Sequence, residues 1–362
     1  MDVELPPPGE LVARLADPAR RRPLAVLDPS WPSELRDQAA SDLAAAHDEG
    51  RLGADDLVLF TSGSTGRPRG VVRTMASWVA SLQPLSALTG IGAADVVWLP
   101  GPLTSSLSLY GAFHAAAVGA TSGVLTHTAT AAHLVPAALA DAVGSPHEFP
   151  RLRTVVVAGA ALSDTLRDRA TGLGWRVVEY YGAAELSFVG VRDGTGPMRA
   201  FPGAQVELRE GRVWVRSPYL ARGYLRAHDT GPLVRDGEWA GVGDLGRQVD
   251  DGWVVAGRGD AAIVTGGHTV VAEEVEAVLA AVEGVKAVAV IGLSHERLGQ
   301  YVAAVVVADR PVRSALVRAV ATLPAPARPR RWLAIERLPH TGSGKVARGE
   351  VLALAADLPR LR

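Results

Sequence analysis

An α/β fold in two domains is the architecture that these 362 residues predict. Three observations carry it. Short apolar runs bounded by turn residues alternate with stretches of helical periodicity, the pattern of strand–helix–strand units around a parallel sheet. The run Val155-Val156-Val157-Ala158 has no polar interruption, as in a strand buried on both faces. The texture then changes near Pro202 and again after Gly257-Arg258-Gly259-Asp260, which places a domain boundary near Asp260. The remaining C-terminal stretch of about a hundred residues is of ordinary domain size.

The elements follow in order. Leu24–Leu27, between Pro23 and Asp28-Pro29, predicts a short strand, and Leu57–Phe60 a second one that runs into a Gly/Ser/Thr loop. From Val96 to Ala140 there is no Asp, Glu, Lys or Arg. A membrane helix needs roughly 20 mostly apolar residues in a row, and Pro100, Gly101, Pro102 and the hydroxyls from Thr104 to Ser108 interrupt this one. Leu107, Tyr110, Gly111, His114 and Val118 recur at helical spacing and predict a buried helix, as core packing, as the wall of an apolar pocket, or both. Thr154–Ala158 and Val177–Tyr180 flank a helix at Ser163–Gly174, one strand–helix–strand unit. Short, Gly-punctuated strands follow at Gln205–Arg209, Arg212–Arg216 and Trp253–Ala256. Beyond Asp260 come a helix at Glu273–Ala281, strands at Ala287–Gly292 and Val302–Val307, and a helix at Val312–Leu323.

Composition removes several functions. At 48% hydrophobic and 21% charged the chain is no disordered, collagenous or coiled-coil protein. A formal net charge of −1 lacks the basic excess of a nucleic-acid binder. There is no cysteine, hence no disulfide, zinc-thiolate site or thiol nucleophile. The acidic start, Met1 to Leu5, has no apolar core of a secretory signal, and a cytoplasmic protein without integral membrane association is expected. Of 37 basic residues only Lys286 and Lys345 are lysine. A retained lysine matters because guanidinium cannot replace a compact ammonium at a fixed point.

Five loops could carry chemistry. Thr61, Ser62, Gly63, Ser64, Thr65 and Gly66, followed by Arg67, Pro68, Arg69 and Gly70, combine three glycines, four hydroxyls and two arginines. Backbone N–H groups freed by glycine, with hydroxyl donors and positive charge, make a phosphate cradle, though not in the Walker A order. Tyr180 to Glu185 lies at the carboxyl end of a strand, where open α/β sheets bind ligands. Alone it reads first as a turn with a solvated glutamate, and second as a stacking face with a hard oxygen ligand for Mg²⁺. Gly243-Asp244 reads as a turn or as an acceptor for a ribose diol. Gly257–Asp260 suits a hinge, and Leu338–Arg348 is a Gly/Ser loop displaying Lys345.

In this order the motifs Thr61–Gly70, Gly159-Ala160-Ala161, Tyr181–Glu185, Gly211–Tyr224, Gly243-Asp244, Gly257–Asp260 and Gly344-Lys345 resemble the AMP-forming adenylating superfamily of acyl-CoA synthetases, adenylation domains and luciferases. The resemblance spans about residues 24–350, and the layout is most similar to short acid–CoA ligases such as o-succinylbenzoate–CoA ligases. It implies a large N-terminal domain with mostly parallel sheets over residues 1–259, with a shortened leader, and a small mobile α+β domain over 260–362. It implies ATP, Mg²⁺ and CoA as cofactors and a small carboxylic acid as substrate. Thr61 to Gly66 and Arg69 would hold the β- and γ-phosphates. Gly159, Ala160 and Ala161 would lie against adenine, with Tyr181 stacked on it, and Gly182 and Ala184 would be cofactor-binding positions of the same loop, Ala184 where an α-phosphate donor usually stands. Glu185 would hold Mg²⁺, Asp244 the ribose, and Arg258 ribose and phosphate. Asp260 would be the hinge, Gly267 would flank the pantetheine arm, and Lys345 would be the catalytic lysine between carboxylate and α-phosphate. Thr104, Ser105, Tyr110 and His114 would line the acyl pocket.

The chain departs from that pattern at particular positions. Arg69 and Val264 stand where relatives carry lysine, Ala184 where they carry threonine, Val242 where they carry threonine before Gly-Asp, and Thr104 near a pocket histidine. Two alternatives accompany the ligase reading. One is an enzyme loading a carrier protein, with Arg328, Arg330 and Arg331 as the residues that would favour free CoA instead. The other is a non-catalytic nucleotide-binding protein, against which the retention of Lys345 weighs.

Overall fold

The computed structural model describes residues 3, 5, 8–17, 20–61, 68–124, 126–226, 231–258, 262–265, 268–295, 298–341 and 346–361. By internal packing the chain forms two units, Met1–Arg209 with Val213–Val242 and Gln248–Trp253, and Glu210–Arg212 with Gly243–Arg247 and Val254–Arg362. The hinge expected at Asp260 lies outside the described residues.

In the first unit the expected parallel sheet is present. Its seven strands run in the order Arg199–Ala200, Ser187–Asp193, Arg176–Ala183, Thr154–Val157, Ala131–Leu134, Val96–Trp98, Thr121–Gly123. From Arg176–Ala183 onward every pair is parallel, whereas Ser187–Asp193 returns antiparallel. Val155, Val156 and Val157 are fully buried, which is why that strand carries no polar side chain. Three helices cover the sheet, Ser106–Ala117, Pro136–Gly144 and Asp164–Gly172. Ser105 and Ser163 cap the first and third by accepting from the backbone N–H three residues on, and Pro136 opens the second. Within the uncharged stretch, Ser106–Ala117 is therefore a core helix, and it packs Leu109, Tyr110 and Phe113 with Trp78, Phe188 and Phe201. Among the described residues no helix is long and apolar enough to cross a membrane.

A four-stranded sheet in the same unit flanks the Gly/Ser/Thr loop on both sides. Leu24–Val26 lies parallel to Asp56–Thr61, which pairs antiparallel with Arg69–Thr74, and Gly223–Tyr224 forms the far edge. The register joins Asp56 to Thr74 and Thr61 to Arg69, so residues 62–68 connect two strands of a hairpin. The short strands Val234–Asp236, Trp239–Gly241 and Arg212–Arg216 are antiparallel neighbours, as the Gly-rich texture predicts.

The second unit is an antiparallel sheet ordered His268–Val271, Ala262–Thr265, Gly299–Ala308, Val285–His295, with Arg331–Ala334 added in parallel beside Gly299–Ala308. Both faces are buried, and alternation sorts the side chains between them. Val288, Val290, Val302, Ala304 and Val306 pack with Val275 and Leu279 of the helix Ala272–Ala280 and Leu316 of Arg313–Ala319. Ala289, Ile291, Ala303 and Val305 pack with Leu338 and with Val351 of the helix Arg348–Leu354. The helix expected over Val312–Leu323 is shorter, because Val320–Thr322 tightens into a 3₁₀ turn.

Candidate active site

The strand Arg176–Ala183 delivers Tyr181 and then bends sharply. A bulge falls between Tyr181 and Gly182, and Ser187 takes φ of 58° to bring the chain back. A Cβ on Gly182 would stand 1.9 Å from the Ser187 carbonyl oxygen, so only glycine fits there. The bend presents Glu185, which is 5% exposed and not the solvated turn residue that the loop suggests when read alone. Its Oε1 accepts from the Tyr224 hydroxyl at 3.0 Å, and its carbonyl accepts from Ala221 N at 2.8 Å. Burial and the neighbouring carboxylate both raise the Tyr224 pKa, so the phenol keeps its proton and donates. Tyr224 also pairs through its backbone with Val71, two residues past Arg69, and the Arg69 guanidinium lies 5.4 Å from the Tyr224 ring centroid. Tyr224 thus joins the root of the Gly/Ser/Thr-loop hairpin, where Thr61 Oγ1 donates to Arg69 O at 3.4 Å, to the carboxylate of Glu185.

Arg73 is absent from the candidates that the sequence yields. It is 1% exposed, and its guanidinium donates to Ala184 O at 3.0 Å, Tyr219 O at 2.5 Å and Ser77 Oγ at 3.3 Å. Burial lowers its pKa to about 9, against the raising fields of Tyr110 and Glu185. A fork that holds the carbonyl of Ala184 holds the residue before Glu185. The position expected to carry a threonine hydroxyl is therefore fixed through its backbone.

The segment expected against adenine starts with Gly159 at φ of 91° and leaves Ala160 and Ala161 exposed. Its far end is held by Arg192, which donates to Leu162 O at 3.3 Å and Asp164 at 2.9 Å. Arg192 and Arg167 both reach Glu179 Oε2, at 2.8 and 2.5 Å. Tyr181 meets Trp253 edge to face at 5.5 Å, and Trp253 fills the space above Gly190. Glu185 is one buried carboxylate, and among the described residues no three His, Cys, Asp or Glu cluster. That donor set fits Mg²⁺, which binds through one or two carboxylates plus waters and phosphate oxygens.

The expected acyl-pocket residues lie around the start and inner face of the helix Ser106–Ala117. Thr104 Oγ1 donates to Asp28 at 3.4 Å, while the Ser105 hydroxyl serves as the helix cap. Tyr110 is 4% exposed with its hydroxyl 2.7 Å from Ser81 Oγ, and burial raises its pKa. His114 is fully buried, with Nε2 2.9 Å from Ser86 Oγ, and its ring lies 6.0 Å from that of the buried His133. Burial lowers the pKa of His114 to about 4, and burial together with His114 lowers that of His133 to about 3. Both rings are neutral in the fold, while the unfolded chain binds protons below about 6.5. Stability is therefore full above that pH and falls as pH drops toward 4. Thermal melts between pH 7 and 4 should show a shallower acid limb in His133→Leu than in the wild type, and parallel curves would contradict this.

Asp244 is 5% exposed at the start of the strand Asp244–Val249, directly after Gly243 at φ of 77°, and belongs to the second unit. Arg258 ends the strand Gly252–Arg258. Ser62, Gly63, Ser64, Thr65, Gly66, Asp260, Gly267 and Lys345 lie outside the described residues.

With this geometry in place, three comparisons are informative. Residues 9–225 match the family described as AMP-binding enzyme, and residues 274–345 match the AMP-binding enzyme C-terminal domain. A probable 2-succinylbenzoate–CoA ligase of Mycobacterium tuberculosis (strain ATCC 25618 / H37Rv) is 32% identical over 376 residues, covering 96% of this chain and 96% of that protein. An uncharacterized acyl–CoA ligase of Bacillus subtilis (strain 168) is 28% identical over 327 residues, covering 81% of this chain and 67% of the relative. The solved o-succinylbenzoate coenzyme A synthetase of Bacillus subtilis, in complex with AMP, shares the fold at TM-score 0.80 and 19% identity, over 96% of this chain and 87% of that one. A buried glutamate beside the root of a Gly/Ser/Thr-loop hairpin, on a parallel sheet followed by a small α+β unit, accompanies matches that settle the family: the chain belongs to the AMP-binding enzyme family.

Proposed function

We propose that the chain is an AMP-forming acid–CoA ligase. The observation that carries the reading is the Arg69–Tyr224–Glu185 connection, which sets a buried carboxylate beside the root of a Gly/Ser/Thr loop built to cradle phosphate. In the first step a substrate carboxylate oxygen attacks the α-phosphorus of ATP, forming the acyl–phosphate bond of an acyl-adenylate and releasing pyrophosphate. In the second, the CoA sulfur attacks the acyl carbon, the thioester forms, AMP leaves with the bonding pair, and the thiol proton is released. The adenylate is already a good leaving group, so a chain without cysteine needs no nucleophile of its own.

Attack on an anionic triphosphate needs positioning and charge stabilisation rather than covalent chemistry. Thr61 to Gly66 and Arg69 serve the β- and γ-phosphates. The exposed backbone of Gly159 to Ala161 and the Tyr181 ring serve adenine, while Asp244 and Arg258 serve the ribose side. Glu185 would hold Mg²⁺, which when bound neutralises phosphate charge. Lys345 brings an ammonium to the carboxylate and α-phosphate, from a C-terminal domain that turns about Asp260. Gly267 leaves room for the pantetheine arm of CoA.

A largely apolar fatty or aryl acid suits residues 96–120, which carry no charged side chain to pair with an amino-acid ammonium. The relatives are named for an acyl substrate and for 2-succinylbenzoate, an aryl acid whose second carboxylate would need a partner outside residues 96–120. Pyrophosphate release with octanoate, benzoate, o-succinylbenzoate and phenylalanine, each with and without CoA, tests the reading. Release that depends on one of the first three acids is expected. Release with phenylalanine alone would contradict the substrate class.

A further inference from the structure

Both flanks of the Lys345 loop are held by described residues of the second unit. His340 bridges antiparallel to Val346, and Ala347 N donates to Pro339 O at 2.9 Å. These bonds close the loop at its root. One residue further on, Arg348 opens the helix Arg348–Leu354. Its Nη2 lies 2.6 Å from Glu276 Oε2 and 3.1 Å from Glu273 Oε1, two carboxylates three residues apart on one face of the helix Ala272–Ala280. The other oxygen of Glu276 accepts from Val290 N at 2.7 Å, which ties the same carboxylate to the sheet. Arg348 and Glu276 side chains are only 30% and 17% exposed, so solvent screens the pair incompletely.

We propose that Arg348 is a positioning residue for Lys345: the Glu273–Arg348–Glu276 triad fixes the root of the lysine loop on the second unit and thereby sets where the Lys345 ammonium can reach. Lys345 stands three positions before Arg348, and a chain extends by at most about 3.6 Å per residue, so the two backbones lie within about 11 Å of each other. The inference rests on the adenylation role proposed above for Lys345. A displacement of about 1 Å at a reacting group can lower a rate by about a hundredfold.

The two lysines make the test direct, because a lysine-specific endoprotease has only Lys345 and Lys286 to cut after. Lys286 lies in the strand Val285–His295 and pairs with Asp309, so its cleavage reports opening of the unit as a whole. In Arg348→Ala, cleavage after Lys345 should accelerate about tenfold while cleavage after Lys286 keeps its rate. Pyrophosphate release with the best acid of the panel should fall about 30-fold. The same substitution made in Lys345→Ala should add less than about twofold, since its effect passes through the lysine. Glu276→Gln, which retains an oxygen for Val290 N and removes the charge facing Arg348, should show the same pattern. Equal acceleration at both lysines would make the triad a general stabiliser and overturn the proposal. So would losses that add in full to the reduced but measurable rate of Lys345→Ala. A Lys345→Ala protein that keeps full pyrophosphate release would instead overturn the adenylation reading, and the catalytic consequence of the triad with it.

Discussion

Lys345→Ala is expected to lower acid-dependent pyrophosphate release by at least about 10²–10³-fold, the usual cost of removing one charge-stabilising group from a transition state. As the carboxylate closes on the α-phosphorus, negative charge gathers on the phosphoryl oxygens, and an ammonium meeting it there lowers the barrier. The loss should fall on kcat more than on KM, because the interaction strengthens only as that charge develops. Lys345→Arg tests the point charge itself and should stay impaired, since a planar guanidinium occupies different space. Thioester formation from a supplied acyl-adenylate and CoA should survive Lys345→Ala. Equal loss of both steps would contradict the assignment. A chain with two lysines among 37 basic residues makes the retention of this one physically informative.

Arg73→Leu is expected to destabilise the protein by about 4 kcal/mol and to weaken ATP binding. Leucine fills much of the space but leaves the carbonyls of Ala184 and Tyr219 without donors. A buried unsatisfied group costs about 1–3 kcal/mol, and hydrogen bonds to a charged donor lie at the upper end of their range. Arg73→Lys should recover only part of the loss, because one ammonium cannot serve two carbonyls in the fork geometry of guanidinium. Urea midpoints at constant slope measure the change. A loss under about 1 kcal/mol would place Arg73 among ordinary substitutions and remove its role beneath Glu185.

These two residues mark the reach of sequence reading. Lys345 stands out by scarcity and motif, and the strand Thr154–Val157 stands out because a fully buried strand can be written in uninterrupted valine, whereas Ala131–Leu134, with a buried histidine, gives no such sign. Arg73 gives only a faint sign, a charge two residues after Val71 and so on the same face of a strand whose neighbours are apolar. What satisfies it comes from carbonyls 111 and 146 residues away, which no local pattern encodes. Glu185 illustrates the same limit: its sequence neighbours suit an exposed turn, but Tyr224 and the returning strand cover it. Ser105 goes the other way, since its hydroxyl is taken up by a local helix cap that the Ser-x-x-Ser spacing could have suggested. The burial of His114 follows from its helical spacing, but its meeting with His133 is visible only once the helix lies on the sheet.

Chromatographic and mass identification of the products formed from ATP, Mg²⁺, CoA and each acid of the panel tests the central claim most directly. Acid-dependent formation of acyl-CoA, AMP and pyrophosphate in equal amounts is the predicted result. ADP and inorganic phosphate in place of AMP and pyrophosphate, or acyl-adenylate that accumulates without passing to CoA, would contradict it.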